Sequence, residues 1–246
     1  MAIRASPAAL AAILGLTAAT ANVLGGLFIV RGDWSRQYLK YFVALGAGFM
    51  LAAAFLEVIP ESLRLAGHVG PLLVLGGYFL VHFFEHTLAP HFHFGEETHL
   101  EEMTPHHVGY AALLGLVIHT FFDGVAIASG FLISTWLGGV IFLAVFLHKL
   151  PEGFTVSSLM LASGQSRRTA LLAAVLLGAA TLGGVFLMNV LRARVSYALP
   201  ISAGVTVYVA ASDLMPEVNR EPGVAMAFVV FIGVALLLVL HGMFHF

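Results

Sequence analysis

The chain has 246 residues, of which 60% are hydrophobic and only 10% are charged, and its mean hydropathy is +0.97. This composition is far outside the range of soluble domains and predicts an all-α polytopic membrane protein that lies in a lipid bilayer. The net charge of −2 gives no support for a nucleic-acid partner. Because the sequence contains no cysteine, disulfides, thiolate metal ligands and thiol nucleophiles are excluded as well.

Apolar runs, separated by polar residues or by proline and glycine, predict eight transmembrane helices of about 20 residues each. The first run could also be a signal peptide, but it is longer than the usual hydrophobic core of such a peptide. We therefore expect residues 1–246 to form a single transmembrane domain with a polar loop at 93–107. The predicted spans lie near residues 7–30, 40–63, 71–92, 108–131, 135–161, 168–191, 196–218 and 223–245.

Basic residues between the spans predict the orientation of the chain. Six of them fall on one side and four on the other, which favours both termini outside and the loop at 93–107 in the cytoplasm. The histidines and glutamates of this loop, which include His93, together with His91 just before it, could bind metal weakly or form a solvated linker. The six are Arg31, Arg36, Lys40, Arg167, Arg168 and Arg220, and the four are Arg4, Arg64, Arg192 and Arg194.

A histidine and a carboxylate recur four residues apart in spans four and five. His119 precedes Asp123, and His148 precedes Glu152, so each pair projects from one face of a helix. The interior of a bilayer penalises an ionisable group by roughly 2.5 kcal/mol or more, so these four side chains need a compensating partner. A divalent metal ion that binds nitrogen and oxygen ligands is the simplest such partner.

Two segments of the chain repeat at a constant spacing. The segment from Ala47 through Glu57 to Glu61 matches the segment that begins at Ala203 and includes Asp213, at an offset of 156 residues. Spans one to three therefore resemble spans six to eight, and spans four and five lie between them. Such a 3+2+3 arrangement gives the two repeats opposite orientations in the bilayer, and inverted repeats of this kind are typical of transporters.

Three further polar or soft residues of the spans allow two interpretations each. Glu57 and Asp213 lie one turn before a proline in matched spans, so they could line the entrance and exit of an ion path. They could equally mark helix ends near the lipid headgroups, where a carboxylate costs little. Met50 could line the path as a soft side chain, or it could serve packing alone.

In these features the sequence resembles the ZIP (Zrt/Irt-like) family of divalent-metal transporters. The resemblance implies an eight-helix bundle with a metal site on spans four and five, and transport into the cytoplasm as one helix group moves against the other. Zn²⁺ is the expected substrate, although the same ligand types also suit Fe²⁺, Mn²⁺, Co²⁺ or Cd²⁺. The matching residues are His119, Asp123 and Gly124 in span four and His148, Pro151, Glu152 and Gly153 in span five.

One departure from the family pattern affects the number of ions. Some members hold a second metal with a polar residue after the histidine of span four and an acid after the first ligand of span five. Here these positions are Thr120 and Lys149. An ammonium at Lys149 would repel a second cation, so we expect one transported ion at a time. The alternative is that Lys149 extends to a membrane surface.

A competing hypothesis is an intramembrane zinc-dependent hydrolase. His82, Glu85 and His86 fit the H-x-x-E-H pattern, in which two histidines bind zinc and the glutamate acts as a base. The matched segment from His241 to His245 lacks the glutamate, and so short a pattern recurs by chance among 12 histidines. We therefore expect no enzyme and no resident cofactor. A plasma or bacterial inner membrane is the expected location, and a homodimer remains open.

Overall fold

The computed structural model describes residues 6–31, 36–88 and 106–245. Within these ranges the chain is helical almost throughout and contains no strand. The α-helices are α1 Pro7–Arg31, α2 Arg36–Ala53, α3 Ile59–Ala66, α4 Gly70–Leu88, α5 His106–Ile133, α6 Thr135–Ala162, α7 Arg167–Val190, α8 Val195–Tyr208, α9 Met215–Arg220 and α10 Ala225–His245.

Seven helical stretches of the described chain are long and apolar enough to cross a membrane. One of them, Leu39–Thr87, has 49 residues and contains both of the spans predicted at 40–63 and 71–92. It is interrupted at Gly67, whose φ of 58° is a left-handed conformation that favours glycine. The predicted all-helical, multi-pass chain is therefore confirmed, whereas the number of eight spans stays a prediction.

The long helices pack in two groups. The site group consists of α1, α5, α6 and α7, in which α1 packs on α6 and α7 while α5 packs on the same two helices. The flanking group consists of α2, α4, α8 and α10 with the short helices α3 and α9, and its main pairs are α2 with α10 and α4 with α8. The two groups meet where α2 contacts α6 and where α8 contacts α5.

The two repeated segments share an irregular backbone. A π-helical turn spans Ala54–Val58 between α2 and α3, and another spans Val209–Leu214 between α8 and α9. Each turn is followed by a proline, Pro60 or Pro216, which cannot donate a backbone hydrogen bond and disturbs the preceding helical turn. A widened π turn is a common way for a helix to absorb such a disturbance, and such turns often occur at functional sites.

Two glycines of the predicted site motifs allow close helix packing, as small residues do in membrane bundles. A Cβ atom on Gly124 of α5 would lie 1.9 Å from the carbonyl oxygen of Thr181 in α7. A Cβ atom on Gly153 of α6 would lie 1.9 Å from the carbonyl oxygen of Asn22 in α1. Any larger residue at either position would push apart the helices that surround the predicted metal-ligating side chains.

Candidate metal site

The four predicted ligands come together between α5 and α6. One nitrogen or oxygen atom from each of His119, Asp123, His148 and Glu152 lies within 4.8 Å of the others. Each of these side chains is at most 2% exposed. The two helices are joined at Ser134, whose hydroxyl accepts a hydrogen bond from the backbone N–H of Leu137 at 3.1 Å and caps α6. This tight connection keeps α5 and α6 side by side.

The two imidazoles turn their Nε2 atoms toward the same carboxylate oxygen. His119 Nε2 lies 3.1 Å from Asp123 Oδ2, and His148 Nε2 lies 3.3 Å from the same atom. The imidazole rings are stacked, with centroids 5.6 Å apart and planes inclined by 28°. Three potential metal-ligating atoms therefore converge on one point inside the bundle.

A backbone carbonyl determines which nitrogen of the neutral His148 ring carries the hydrogen. Its Nδ1 lies 2.9 Å from the carbonyl oxygen of Ala144, and since a carbonyl can only accept, Nδ1 carries the hydrogen. In the neutral ring Nε2 then presents a lone pair toward Asp123, which is the form that binds a metal ion. A lone pair and a carboxylate oxygen repel each other unless a cation lies between them.

Lys149 supplies a cation beside the two carboxylates. Its Nζ donates to Asp123 Oδ2 at 2.6 Å and also to Glu152 Oε2. Thr120 completes the cluster, because its hydroxyl donates to Glu152 Oε1 and lies 3.4 Å from Lys149 Nζ. Lys149 is 0% exposed, so the ammonium does not reach a membrane surface. Two buried carboxylates are thus paired with one buried ammonium, as charges in a low-dielectric interior require.

Glu57 lies in a second polar region that includes residues not identified from the sequence. Its carboxylate accepts from Trp136 Nε1 at 3.1 Å and lies 2.6 Å from His241 Nδ1. The carboxylate borders a cavity of about 470 Å³ that Glu61 and Trp136 also line. Trp136 is in the first turn of α6, so this hydrogen bond joins the site group to the flanking group. The sequence signal for His241 was its match to His82 in the repeat, but no local pattern indicated Trp136.

Asp213 and Met50 do not belong to the group of four candidate ligands. Asp213 is 1% exposed and belongs to the second π-helical turn. Met50 is 1% exposed and packs in an apolar cluster with Tyr208 and neighbouring side chains, so it contributes to the core. His91 and His93, like the predicted loop up to residue 105, lie outside the described residues.

The residues of the hydrolase pattern do not join a metal-binding group in the described part of the chain. The rings of His82 and His86 contact each other with centroids 4.0 Å apart and planes inclined by 33°. Glu85 instead accepts a hydrogen bond from the hydroxyl of Tyr208 at 2.8 Å. The one group of three or more potential ligands found among the described residues is that of α5 and α6.

Comparison with known proteins identifies the family. The family model described as "ZIP Zinc transporter" matches residues 6–110 and 94–241. A relative, the zinc transporter ZIP13 homolog of Drosophila melanogaster, is 33% identical over 148 residues, which cover 56% of this chain and 42% of the fly protein. The zinc transporter ZIP9-B of Xenopus laevis is 24% identical over 259 residues and 84% of each chain.

A third relative, the zinc transporter ZIP5 of Mus musculus, is 33% identical over 149 residues, or 58% of this chain and 28% of the mouse protein. The chain thus spans less than half the length of the fly and mouse relatives. These relatives are named as transporters and not as hydrolases, so the enzyme hypothesis receives no support. Because the family model covers well over half of its residues, the chain belongs to the ZIP zinc transporter family, as the resemblance predicted.

Proposed function

We propose that this protein carries divalent metal cations, above all Zn²⁺, into the cytoplasm through the site formed by His119, Asp123, His148 and Glu152. The observation that carries the proposal is the convergence of two imidazoles and two carboxylates within 4.8 Å in the interior of the bundle. Two nitrogen and two oxygen ligands suit tetrahedral Zn²⁺, at distances of about 2.0–2.2 Å. The relatives' names support zinc, while Mn²⁺, Fe²⁺, Co²⁺ and Cd²⁺ fit the same ligand types.

Lys149 restricts the site to one ion. The cluster of two carboxylates and one ammonium carries a single net negative charge when the histidines are neutral. A dication makes this cluster singly positive, and a second dication at contact distance would meet strong repulsion in a medium of low dielectric constant. Binding of the first ion also requires the ammonium to leave the oxygens of Asp123 and Glu152, so ion and ammonium alternate at the carboxylates.

Eight membrane crossings follow if the stretch Leu39–Thr87 crosses twice. At about 1.5 Å per residue, 49 helical residues would extend about 70 Å, whereas the hydrocarbon core is about 30 Å thick. The break at Gly67 is the natural point for the chain to turn back. This gives the 3+2+3 order with inverted repeats in a single domain, and the even number of crossings puts both termini on the same side. The distribution of basic residues favours the outside of a plasma or bacterial inner membrane for that side.

Transport then follows from movement between the two helix groups. The four candidate ligands all belong to the site group, whereas the matched π-helical turns connect helices of the flanking group. The cation enters from the cavity beside Glu57, sheds water, and binds the four side chains. A shift of the site group opens the other side, where Asp213 and the histidines at 91 and 93 receive the ion. Alternating exposure of one buried site is how inverted-repeat transporters work.

Uptake of ⁶⁵Zn²⁺ into proteoliposomes tests the proposal. We expect His148→Ala and Glu152→Ala to abolish uptake, because each removes a ligand. Glu85→Gln serves as the matched control, since it alters a partly buried carboxylate that binds Tyr208 and not the metal. Loss of a hydrolytic activity on Glu85→Gln, with no zinc uptake by the unaltered protein, would establish the enzyme hypothesis instead. Competition by Mn²⁺, Fe²⁺ and Cd²⁺ in the same assay ranks the selectivity.

A further inference from the structure

A buried amide lies beside the site without a role in the mechanism above. Asn22 of α1 is 0% exposed, and neither its Nδ2 nor its Oδ1 has a hydrogen-bond partner among the described residues. A serine or threonine in a helix can donate to the carbonyl four residues earlier, but the amide of asparagine has four hydrogen-bonding positions to satisfy. A polar group of this kind is rare in a native interior and calls for an explanation.

Asn22 lies against the segment of α6 that carries Lys149 and Glu152. The backbone of Asn22 touches Gly153, where an added Cβ would be 1.9 Å from the Asn22 carbonyl oxygen. One turn further along α1, an added Cβ on Gly25 would be 2.2 Å from the carbonyl oxygen of Leu150. These approaches allow no side chain between the two helices, so α1 at Asn22 packs directly on the backbone of the residue that follows Glu152.

The proposed transport step leaves Lys149 in need of a new partner. Its ammonium is now held by Asp123 Oδ2 at 2.6 Å and by Glu152, with Thr120 Oγ1 at 3.4 Å. A metal ion bound to the same carboxylates at about 2 Å displaces the ammonium from both of them. The side chain is 0% exposed, and a buried ammonium with only one hydroxyl as acceptor is unstable.

We propose that Asn22 is a positioning residue whose Oδ1 accepts the ammonium of Lys149 while a metal ion occupies the carboxylates. The unused acceptor of Asn22 and the displaced donor of Lys149 then satisfy each other. This inference rests on the proposed metal site. It assigns to α1, which carries none of the four ligands, a contribution to metal affinity that acts through Lys149.

A double-mutant cycle tests this assignment by measuring Zn²⁺ affinity of the full chain in detergent by competition with a chelator. The signal of the His119→Ala/His148→Ala protein is subtracted, because the loop at 93–107 holds further histidines. We expect Asn22→Leu to weaken zinc binding about tenfold, the usual effect of losing a hydrogen bond to a charged group. In a Lys149→Met background the same substitution changes the affinity less than about twofold, because the ammonium is gone.

Two variants guard against a purely structural effect. Asn22→Asp retains an acceptor and is expected to bind zinc at least as tightly as the unaltered protein. Asn22→Ser has a side chain too short to reach Lys149, and we expect it to weaken zinc binding as Asn22→Leu does. Ser158→Ala is the matched control, since this buried hydroxyl of α6 also lacks a partner in the described chain and should not affect zinc affinity. An equal loss with and without Lys149, or no loss at all, would overturn the assignment. Absence of zinc binding by the unaltered protein would overturn the proposed function itself.

Discussion

The central site and the region around Glu57 both place carboxylates in apolar helices, but they stabilise them differently. Asp123 and Glu152 are at most 2% exposed and share the buried ammonium of Lys149. The side chain of Glu57 is 10% exposed, borders a cavity of about 470 Å³, and is held by His241 and Trp136. A carboxylate that water does not reach needs a resident cation, which a metal ion must displace, whereas a carboxylate beside a cavity can be hydrated. We therefore propose that the first region governs binding and the second governs access.

The strongest test of this difference is Asp123→Asn. Asp123 Oδ2 receives the ammonium of Lys149 and faces both imidazoles, so its loss removes a ligand, while Lys149 stays paired with Glu152. We expect zinc affinity to fall by about 100-fold or more, whereas the free energy of unfolding without zinc should change by less than ~1 kcal/mol, because one ammonium then balances one carboxylate. Chelator competition and thermal unfolding in detergent measure the two effects. Glu61 pairs with the exposed Arg64, so Glu61→Gln should change both values little. An equal loss of zinc affinity in the two variants would contradict the comparison.

Acidification should weaken zinc binding at the central site. A metal ion binds the neutral imidazole and the ionised carboxylate, so protons compete with it, and a histidine titrates near pH 6.5 when unperturbed. Between pH 7.5 and pH 5.5 we expect the zinc affinity to fall by at least about tenfold. Titration of His241→Gln should give the same pH dependence, since His241 lies in the region around Glu57. An affinity that is constant over this range would be inconsistent with two histidine ligands.

The hydrogen bond between Trp136 and Glu57 should affect rate and not binding. It joins α6 of the site group to the flanking group, so movement between the groups breaks it. Trp136→Phe keeps an aromatic ring but removes the donor, and we expect faster uptake, by about fivefold at most, with unchanged zinc affinity. Tyr110→Phe is the matched control, because it removes a hydrogen bond to Gln165 beside the site group. Equal changes in both variants would show that the bond does not resist the movement.

Replacing Lys149 should change the number of bound ions. Lys149→Glu substitutes an acid where some family members hold a second metal, and it removes the repelling ammonium. We expect the zinc that depends on His119 and His148 to rise from one ion to two per chain. Metal analysis by mass spectrometry, after subtraction of the His119→Ala/His148→Ala value, measures this number. Two such ions in the unaltered protein would show that Lys149 does not limit the site.

The sequence could indicate the four candidate ligands because the pattern that links them is local. Each helix contributes a histidine and a carboxylate at a spacing of four, and the short connection at Ser134 makes α5 and α6 neighbours. The family assignment followed from the same motifs and is confirmed by the family model.

Contacts between distant segments could not be predicted in this way. Glu57 meets Trp136 across 79 residues and His241 across 184 residues, and no periodicity connects such positions. Asn22 is the one amide side chain in a mostly apolar helix, so no repeated spacing marks it in the sequence. The helical connection between the second and third predicted spans depends on the backbone at Gly67, which a hydropathy pattern does not reveal.

X-ray absorption at the zinc K-edge tests the central claim most directly. The purified full chain and the His119→Ala/His148→Ala protein are loaded with zinc at equal concentration, and their spectra are compared. We predict one additional zinc ion per chain in the unaltered protein, with imidazole nitrogen and carboxylate oxygen ligands at about 2.0–2.2 Å. Equal zinc content in the two proteins, or a difference spectrum without imidazole scattering, would contradict a metal site between α5 and α6.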